Sequence, residues 1–324
     1  MYPHLRRGYS VRNPTSADMP AIIQLLYDFD YHETGEADFY QIEDIENDWQ
    51  SLDVSRDAWV VIAEDGLLCG YATLTFARPR GRLFADGYVH PRHYNNGIGT
   101  TLIELMEARA AEIVQQEPMG TRLVLVNNII ATSSASIELL EKLAYTLTRA
   151  YLRMGIVLTA PPATPAWPSN IVLRTCDGSL EDIYRVYEVA EESFSDHWAH
   201  PPQSFEEWKK HHVRESFNPD LWFLALDGEQ IAGVALCRDM EEHKGWVSVL
   251  GVRRQWRQHG LGTALLHHSF AVFYQRQRPA VNLVVDSQSL TGAQRIYERA
   301  GMHVTMRMGR YEKELRPGKD LQDE

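Results

Sequence analysis

The sequence predicts an α/β protein built from two copies of one fold. The chain has 324 residues, about twice a typical domain of ~150. Its proline-rich stretch, Ala160–Ser169 with four prolines in ten residues, lies at mid-chain and reads as a stiff extended connector. Landmarks also recur at a near-constant offset: 162 residues separate Arg12 from Arg174, and 163 separate Gly97 from Gly260. Such long-period self-similarity marks a duplication. The expected division is an N-terminal domain at 1–160, a linker at 161–169 and a C-terminal domain at 170–324.

Each half carries the same elements in the order β-α-α-β-β-β-α-β-α-β. A short strand opens each copy, Tyr9–Asn13 and then Ile171–Thr175. A helix follows, with Ser16 or Ser179 as N-cap and acids in its first turn. After a second helix come two strands around a tight turn. In the first copy these are Trp59–Ala63 and Leu67–Phe76, with Glu64-Asp65-Gly66 between them. In the second they are Leu221–Leu226 and Gln230–Cys237, with Asp227-Gly228-Glu229 between them. Next, a strand runs into a glycine-containing turn and a long helix. Each copy closes on strand, short helix and strand: Arg122–Asn127, Ser134–Leu143 and Thr146–Leu158, then Ala280–Val285, Thr291–Ala300 and His303–Leu315.

Composition narrows the function. The apolar fraction of 44% and charged fraction of 23% belong to a globular protein. Three widely spaced cysteines, Cys69, Cys176 and Cys237, form neither a disulfide framework nor a CxxC metal knuckle and point to a reducing cytoplasm. The opening MYPHLRRGYS has no apolar run behind it, so no secretory signal is expected. The apolar stretches are strand-sized, as in Ala58–Ala63, far below the ~18–20 residues that span a bilayer. Net charge is −12, with 13 basic and 21 acidic residues up to Pro162 and 19 and 23 beyond it, so −8 and −4. Both halves would repel a phosphate backbone. Neither nucleic acid nor membrane is an expected partner. Monomer and homodimer both remain open.

Chemistry is concentrated in Trp246–Val252 (WVSVLGV) and the segment Arg257-Gln258-His259-Gly260-Leu261-Gly262-Thr263 behind it. A continuous apolar strand enters a turn whose glycines permit close backbone approach to a ligand. Successive amides at the start of the next helix make an anion cradle, reinforced by the helix dipole, and Arg257 can add a charge-assisted contact. Phosphate is the ligand such a loop suits. The segment contains neither the GK[ST] of a P-loop nor the third glycine of a dinucleotide fingerprint.

In these residues the second half resembles motif A of the GCN5-related N-acetyltransferase (GNAT) superfamily. The stretch from Asp286 through Tyr297 to Gly301 and Met302 is similar to the family's N-x-x-A-x-x-x-Y-E-x-x-G-F segment. The resemblance covers 170–315 and extends more weakly over 9–158, as in tandem GNAT proteins of mycothiol synthase-like architecture. It implies two GNAT-like domains, each a mixed, mostly antiparallel sheet flanked by helices, and acetyl-CoA as co-substrate. Leu250, Gly251 and Val252 would pair with the pantetheine arm, and one of their amides would polarise the thioester carbonyl. Gln258, His259, Gly260, Leu261, Gly262 and Thr263 would hold the pyrophosphate. Tyr297 would protonate the leaving thiolate, as a phenol of pKa ~10 can.

The departures from the family pattern are specific. Ser289 replaces the asparagine of the second segment, and Arg254 replaces the usual proline before the loop. Trp246 stands where mycothiol synthase-like strands begin with a glutamate base. Glu241, Glu242, Asp196 and His197 are candidate bases, and none is assigned. In the first half Val89, Asn95, Asn96, Gly97, Ile98, Gly99 and Thr100 keep the loop pattern. There Tyr94 replaces the arginine, and Leu140 falls where Tyr297 should be. The first domain is therefore expected to be non-catalytic.

His197, Trp198 and Trp246 are expected to border the acceptor pocket. Between Asp28 and Asp57, eleven acids face one arginine, which reads as a solvated helix pair. The histidines 200, 211, 212, 259, 267 and 268 show no HExxH spacing, so no metal is expected. Two functions compete: an N-acetyltransferase acting on a primary amine of a small molecule by direct attack, and a non-catalytic acyl-CoA-binding or sensing protein.

Overall fold

The computed structural model describes residues 2–36, 40–77, 81–195, 198, 203–214, 217–240, 243–289 and 292–319. Its elements in the first half are β1 (Tyr9–Arg12), α1 (Met19–Thr34), α2 (Ile42–Trp49), α3 (Val54–Asp57), β2 (Ala58–Ala63), β3 (Leu68–Ala77), β4 (Arg82–Val89), α4 (Ile98–Gln116), β5 (Leu123–Ile130), α5 (Ser134–Lys142) and β6 (Thr146–Val157). The second half repeats the pattern with β7 (Ile171–Thr175), α6 (Leu180–Phe194), α7 (Phe205–His212), β8 (Trp222–Asp227), β9 (Gln230–Met240), β10 (Lys244–Val252), α8 (Leu261–Gln275), β11 (Ala280–Asp286), α9 (Ala293–Arg299) and β12 (His303–Arg316). The predicted order is present in the second copy, and the first departs from it by the single-turn helix α3 between α2 and β2. Each sheet is mixed and mostly antiparallel, as expected. The parallel pairs are β4 with β5 and β10 with β11.

The compact units do not divide at the proline-rich segment. One comprises Met1–Ala150 with Arg307–Glu324, and the other Tyr151–Met306. The closing strands are exchanged. Residues Met308–Arg316 of β12 pair antiparallel with β5 in the first unit, and Tyr151–Asp286 partners join β6 to β11 in the second. The first unit's strand order is β1-β2-β3-β4-β5-β12, and the second's is β7-β8-β9-β10-β11-β6. Residues 161–169 lie inside the second unit, where Trp167 packs on its core and sits 6.0 Å from the His268 ring. By sequence each closing strand is expected in its own copy, and a strand's apolar pattern sets its buried face without setting its partner.

Each sheet is covered on both faces. In the second unit α8 and α9 bury Phe270, Phe273 and Leu265 on one face, and α6 and α7 bury Val186, Val189 and Trp208 on the other. The first unit repeats this with Leu102 and Met106 of α4 on one side and Ile22, Leu25 and Ile45 on the other. Local devices repeat as well. Arg12 clamps Asp18 through two hydrogen bonds of 2.8 and 2.6 Å, and Arg174 clamps Asp182 through two of 2.7 and 2.6 Å. Ser179 caps α6 by accepting from Asp182 N, as predicted. In the first copy Ser16 instead opens a 3-10 turn over Ser16–Asp18 that Thr15 caps, with Asp18 accepting from Thr15 N, and Asp18 is the residue at the N-cap of α1.

The second clamp has a measurable consequence. Asp182 is buried, and the Arg174 guanidinium holds its carboxyl below the usual range. A depressed native pKa contributes stability above the unfolded pKa and loses it as pH falls. Asp182→Asn is expected to lower stability by about 1–3 kcal/mol at pH 7. In urea titrations the gap from wild type should close below about pH 4, near the unfolded carboxyl pKa.

Candidate functional site

The second unit's site begins where two parallel strands part. β10 pairs with β11 only over Lys244–Trp246 against Ala280–Asn282, although β10 continues to Val252 and β11 to Asp286. Among the described residues, the β11-facing edge of β10 has no strand partner beyond Trp246. On its other edge β10 stays paired with β9, and the register slips between Val247 and Val249. This bulge at Ser248 reverses the alternation of side chains. Val247 lies in the core under α8, whereas Val249, two residues on, lies in the core under α6 and α7. Leu250 and Val252 pack toward α8. A Cβ at Gly251 would come within 2.9 Å of Ser193 Cβ on α6, so only glycine permits that helix to pack so closely. The buried Ser193 hydroxyl beside it has no hydrogen-bond partner.

The loop after β10 has the geometry of an anion cradle. Gln258 and Gly260 both adopt positive φ, 67° and 80°, which turns successive amides toward one side before α8 begins at Leu261. Among the described residues, no acceptor is recorded for the amides of Gln258, His259, Gly260, Leu261, Gly262 and Thr263. The space where a Cβ of Gly260 would project is open. These groups suit a pyrophosphate. Arg257 has a further duty: its Nε donates to Val252 O at 3.0 Å and its Nη2 to Ser193 O at 3.1 Å, tying the loop to β10 and α6.

Tyr297 lies on α9 and is 8% exposed within the α8-side core. Burial pushes its phenol up to about 12. Ser289 occupies the turn between β11 and α9, where its N–H donates to Asp286 O. Trp198 is exposed. His197 lies outside the described residues, as do Asp196, Glu241 and Glu242.

A cavity of about 230 Å³ opens beside the bulge. Trp246 and Ser248 line it from β10, Cys237 and Arg238 from β9, His211 and His212 from the end of α7, and Arg214, Phe217 and Asn218 from the loop beyond. Trp246 was an expected pocket residue. Arg214, Arg238 and Ser248 were not, and the two histidines entered the sequence reading only as metal candidates. They come from three separated segments, and no single motif announces them. Burial, with His211, Arg214 and Arg238 nearby, lowers His212 to about 4, so it is neutral at pH 7.

The nearest arrangement to a metal site among the described residues is Cys176, Asp177 and Asp182, whose ligand atoms lie within 4.8 Å of one another. Asp182 already accepts two bonds from Arg174, and burial raises the Cys176 thiol to about 11. A cation there would have to displace the guanidinium and a proton.

The first unit keeps the scaffold and changes the chemistry. β4 also parts from β5 after Phe84, and Asn95 and Gly97 repeat the positive φ values at 63° and 80°. Yet β4 pairs with β3 without a register slip from Arg82 to Val89. A different bulge, between β2 and β3, does recur between β8 and β9, so loss of the β10-type bulge is particular to this strand. A Cβ at Gly97 would strike the carbonyl oxygen of His4, and Arg6 N donates to Asn96 O at 3.1 Å. The N-terminal segment therefore sits in the direction left open at Gly260. Ile98, Gly99 and Thr100 continue into α4, and Val89 ends β4. Tyr94 donates to Glu33 at 2.8 Å, tying the loop to α1 as Arg257 ties its own to α6. Leu140 occupies the place of Tyr297. The bond from Tyr145 N to Leu140 O matches that from Met302 N to Tyr297 O, both at 3.0 Å.

The face of the first unit that corresponds to the cavity is acidic and aromatic. Asp86 on β4 is raised to about 6 by burial and by Asp48. Tyr40 donates to Asp30 at 2.7 Å, and Trp49 Nε1 donates to the Tyr71 hydroxyl at 2.9 Å. The acids between Asp28 and Asp57 are thus not all solvated, because Asp30 is buried.

Comparison with known proteins agrees with this geometry. The Acetyltransferase (GNAT) family model matches residues 19–145 and again 183–302. The mycothiol acetyltransferase of Saccharopolyspora erythraea is 26% identical over 80% of this chain and 85% of its own length. That of Streptomyces bingchenggensis is 28% identical over 73% and 74%. A GCN5-related N-acetyltransferase structure from Sphaerobacter thermophilus is 36% identical with a TM-score of 0.85, covering 98% of this chain and 99% of that one. A tandem GNAT protein from the clavulanic acid biosynthesis pathway shares the fold at 16% identity and a TM-score of 0.72, over 96% and 100%. Among the described residues, no helix is long and apolar enough to cross a membrane. With the family matched once in each half and over most of its length, the chain belongs to the GNAT acetyltransferases and carries two GNAT-like units in tandem.

Proposed function

We propose that the second unit transfers an acetyl group from acetyl-CoA to a primary amine of a small molecule by direct attack, and that the first unit is non-catalytic. The observation that carries this reading is the bulge at Ser248 on a parted strand, directly before a loop whose amides have no recorded acceptor. Leu250, Gly251 and Val252 offer an edge for the pantetheine arm, and Gln258–Thr263 offer amides for the pyrophosphate. The relatives named mycothiol acetyltransferase support an amine acceptor of small size.

The residues divide the work as follows. A β10 amide beside the bulge hydrogen-bonds the thioester oxygen and stabilises the charge that develops as the amine adds to the carbonyl carbon. As the C–S bond breaks, Tyr297 gives its phenolic proton to the departing sulfur, and the proton shed by the new amide nitrogen restores the phenol. Its raised pKa keeps it protonated throughout the neutral range, and the same low-dielectric surroundings raise the basicity of a thiolate leaving beside it. Trp246 supplies no base on β10, and only a deprotonated amine can attack, so the rate should rise with pH through the acceptor's own ammonium pKa. In the first unit the unbroken β4 register, Leu140 in the tyrosine's place and His4 against Gly97 all support the non-catalytic assignment.

Two outcomes test this. Tyr297→Phe preserves the core volume and is expected to lower kcat about 100-fold with little change in the KM for acetyl-CoA. An unchanged kcat would remove Tyr297 from the mechanism. Calorimetric titration with CoA is expected to give one site per chain in the wild type and none in Gly260→Glu, where an acidic side chain enters the open cradle. Two sites in the wild type, or one surviving in the variant, would overturn the division between the units.

A further inference from the structure

We propose that the acceptor of the second unit is an amine that also bears an anionic group, a carboxylate or a phosphate, held by Arg214 and Arg238 beside Trp246. This deepens the acetyl-transfer reading above and rests on it for the identity of the cavity.

Three features point the same way. First, the cavity beside the bulge is lined by two arginines and two histidines. Arg238 is the cross-strand partner of Trp246, so both side chains rise from the same face of the sheet. Second, the guanidinium carbons of Arg153 and Arg238 stand 5.2 and 5.9 Å from the Trp246 ring centroid. An indole placed among cations supplies packing surface without competing for an anion, as a glutamate in the same place would. His212 is packed against Trp208 at 4.4 Å between ring centroids and is neutral, so it can donate or accept one hydrogen bond without adding charge. Third, the corresponding face of the first unit carries Asp30, Asp48 and Asp86 with Tyr71 and Tyr88. The cationic lining is therefore not a property of the shared fold.

Size limits the acceptor. A volume of about 230 Å³ holds roughly eight water volumes of ~30 Å³ each, enough for an amino acid or an aminoalkyl phosphate. A guanidinium meets either anion in a forked, charge-assisted geometry. With the anion on the arginines, the acceptor's amine can lie toward Ser248, where the backbone is bulged.

The test uses matched pairs on the full chain: L-alanine against L-alaninamide, β-alanine against its amide, and ethanolamine phosphate against ethanolamine. In at least one pair the acid-bearing member is expected to show a kcat/KM at least ten-fold higher. Arg214→Gln and Arg238→Gln should each reduce that preference to below three-fold, with retained CoA binding by calorimetry showing that the variants are folded. Selectivity confined to the amino acids identifies a carboxylate, and selectivity confined to ethanolamine phosphate identifies a phosphate. Equal use of both members in every pair, or a preference that survives both substitutions, would overturn the proposal. Binding separates this from the transfer reading. If no amine is acetylated, yet an acid-bearing member raises the melting temperature of wild type and not of Arg214→Gln, the anion site stands and the transfer reading fails. If no amine is acetylated and none shifts the melting temperature, the anion site fails as well.

Discussion

The chemistry proposed for the second unit depends on one interruption of hydrogen bonding. After Trp246 pairs with Asn282, β10 makes no further ladder to β11, and at Ser248 its ladder to β9 slips by a residue. A sheet interior normally satisfies every backbone group. Here, among the described residues, one edge of a central strand has no ladder partner beyond Trp246, and that edge is where the proposed co-substrate would pair. Around that edge the structure is tightly determined. Gly251 admits α6 to close contact, Arg257 ties α6 to the following loop, and Gly260 turns the chain into α8.

The two units show how a duplicated scaffold can diverge without losing its fold. The parted strands, the positive φ values of the loop and the arginine–aspartate clamp on the first helix are present twice. Differences fall on positions where the fold tolerates substitution. Tyr94 replaces Arg257 and still ties its loop to the first helix. Leu140 replaces Tyr297 within the same short helix and makes the same main-chain bond to the residue five positions on. The proposed general acid can be exchanged because its packing role needs only apolar volume.

Much of the fold was legible in the residues. Apolar periodicity, capping residues and turn glycines marked the order of elements apart from the single-turn α3, down to Ser179 as the cap of α6. The loop Gln258–Thr263 was equally legible, because phosphate-type cradles require glycines at fixed spacing within a few consecutive residues. The cavity was not. Its arginines and histidines lie on α7, the following loop and β9, and each in isolation looks like an ordinary surface side chain. Asp18 rather than Ser16 at the N-cap of α1 was also missed, since the short 3-10 turn before it leaves no periodic signature.

By itself the sequence determined that the chain holds two copies of one α/β fold, that the second copy carries a complete loop and tyrosine pattern, and that the first lacks the tyrosine. These are local properties, written in spacing and residue type. Tertiary structure decided three other matters: which closing strand completes which sheet, the bulge at Ser248, and the gathering of Arg214, Arg238 and Trp246 around one cavity. The strand exchange depends on pairing between segments distant in sequence, the bulge on the register between the neighbouring strands β9 and β10, and the cavity on how the loop after α7 packs against them. A strand's own pattern specifies which face is buried, and it does not specify the register or the partner.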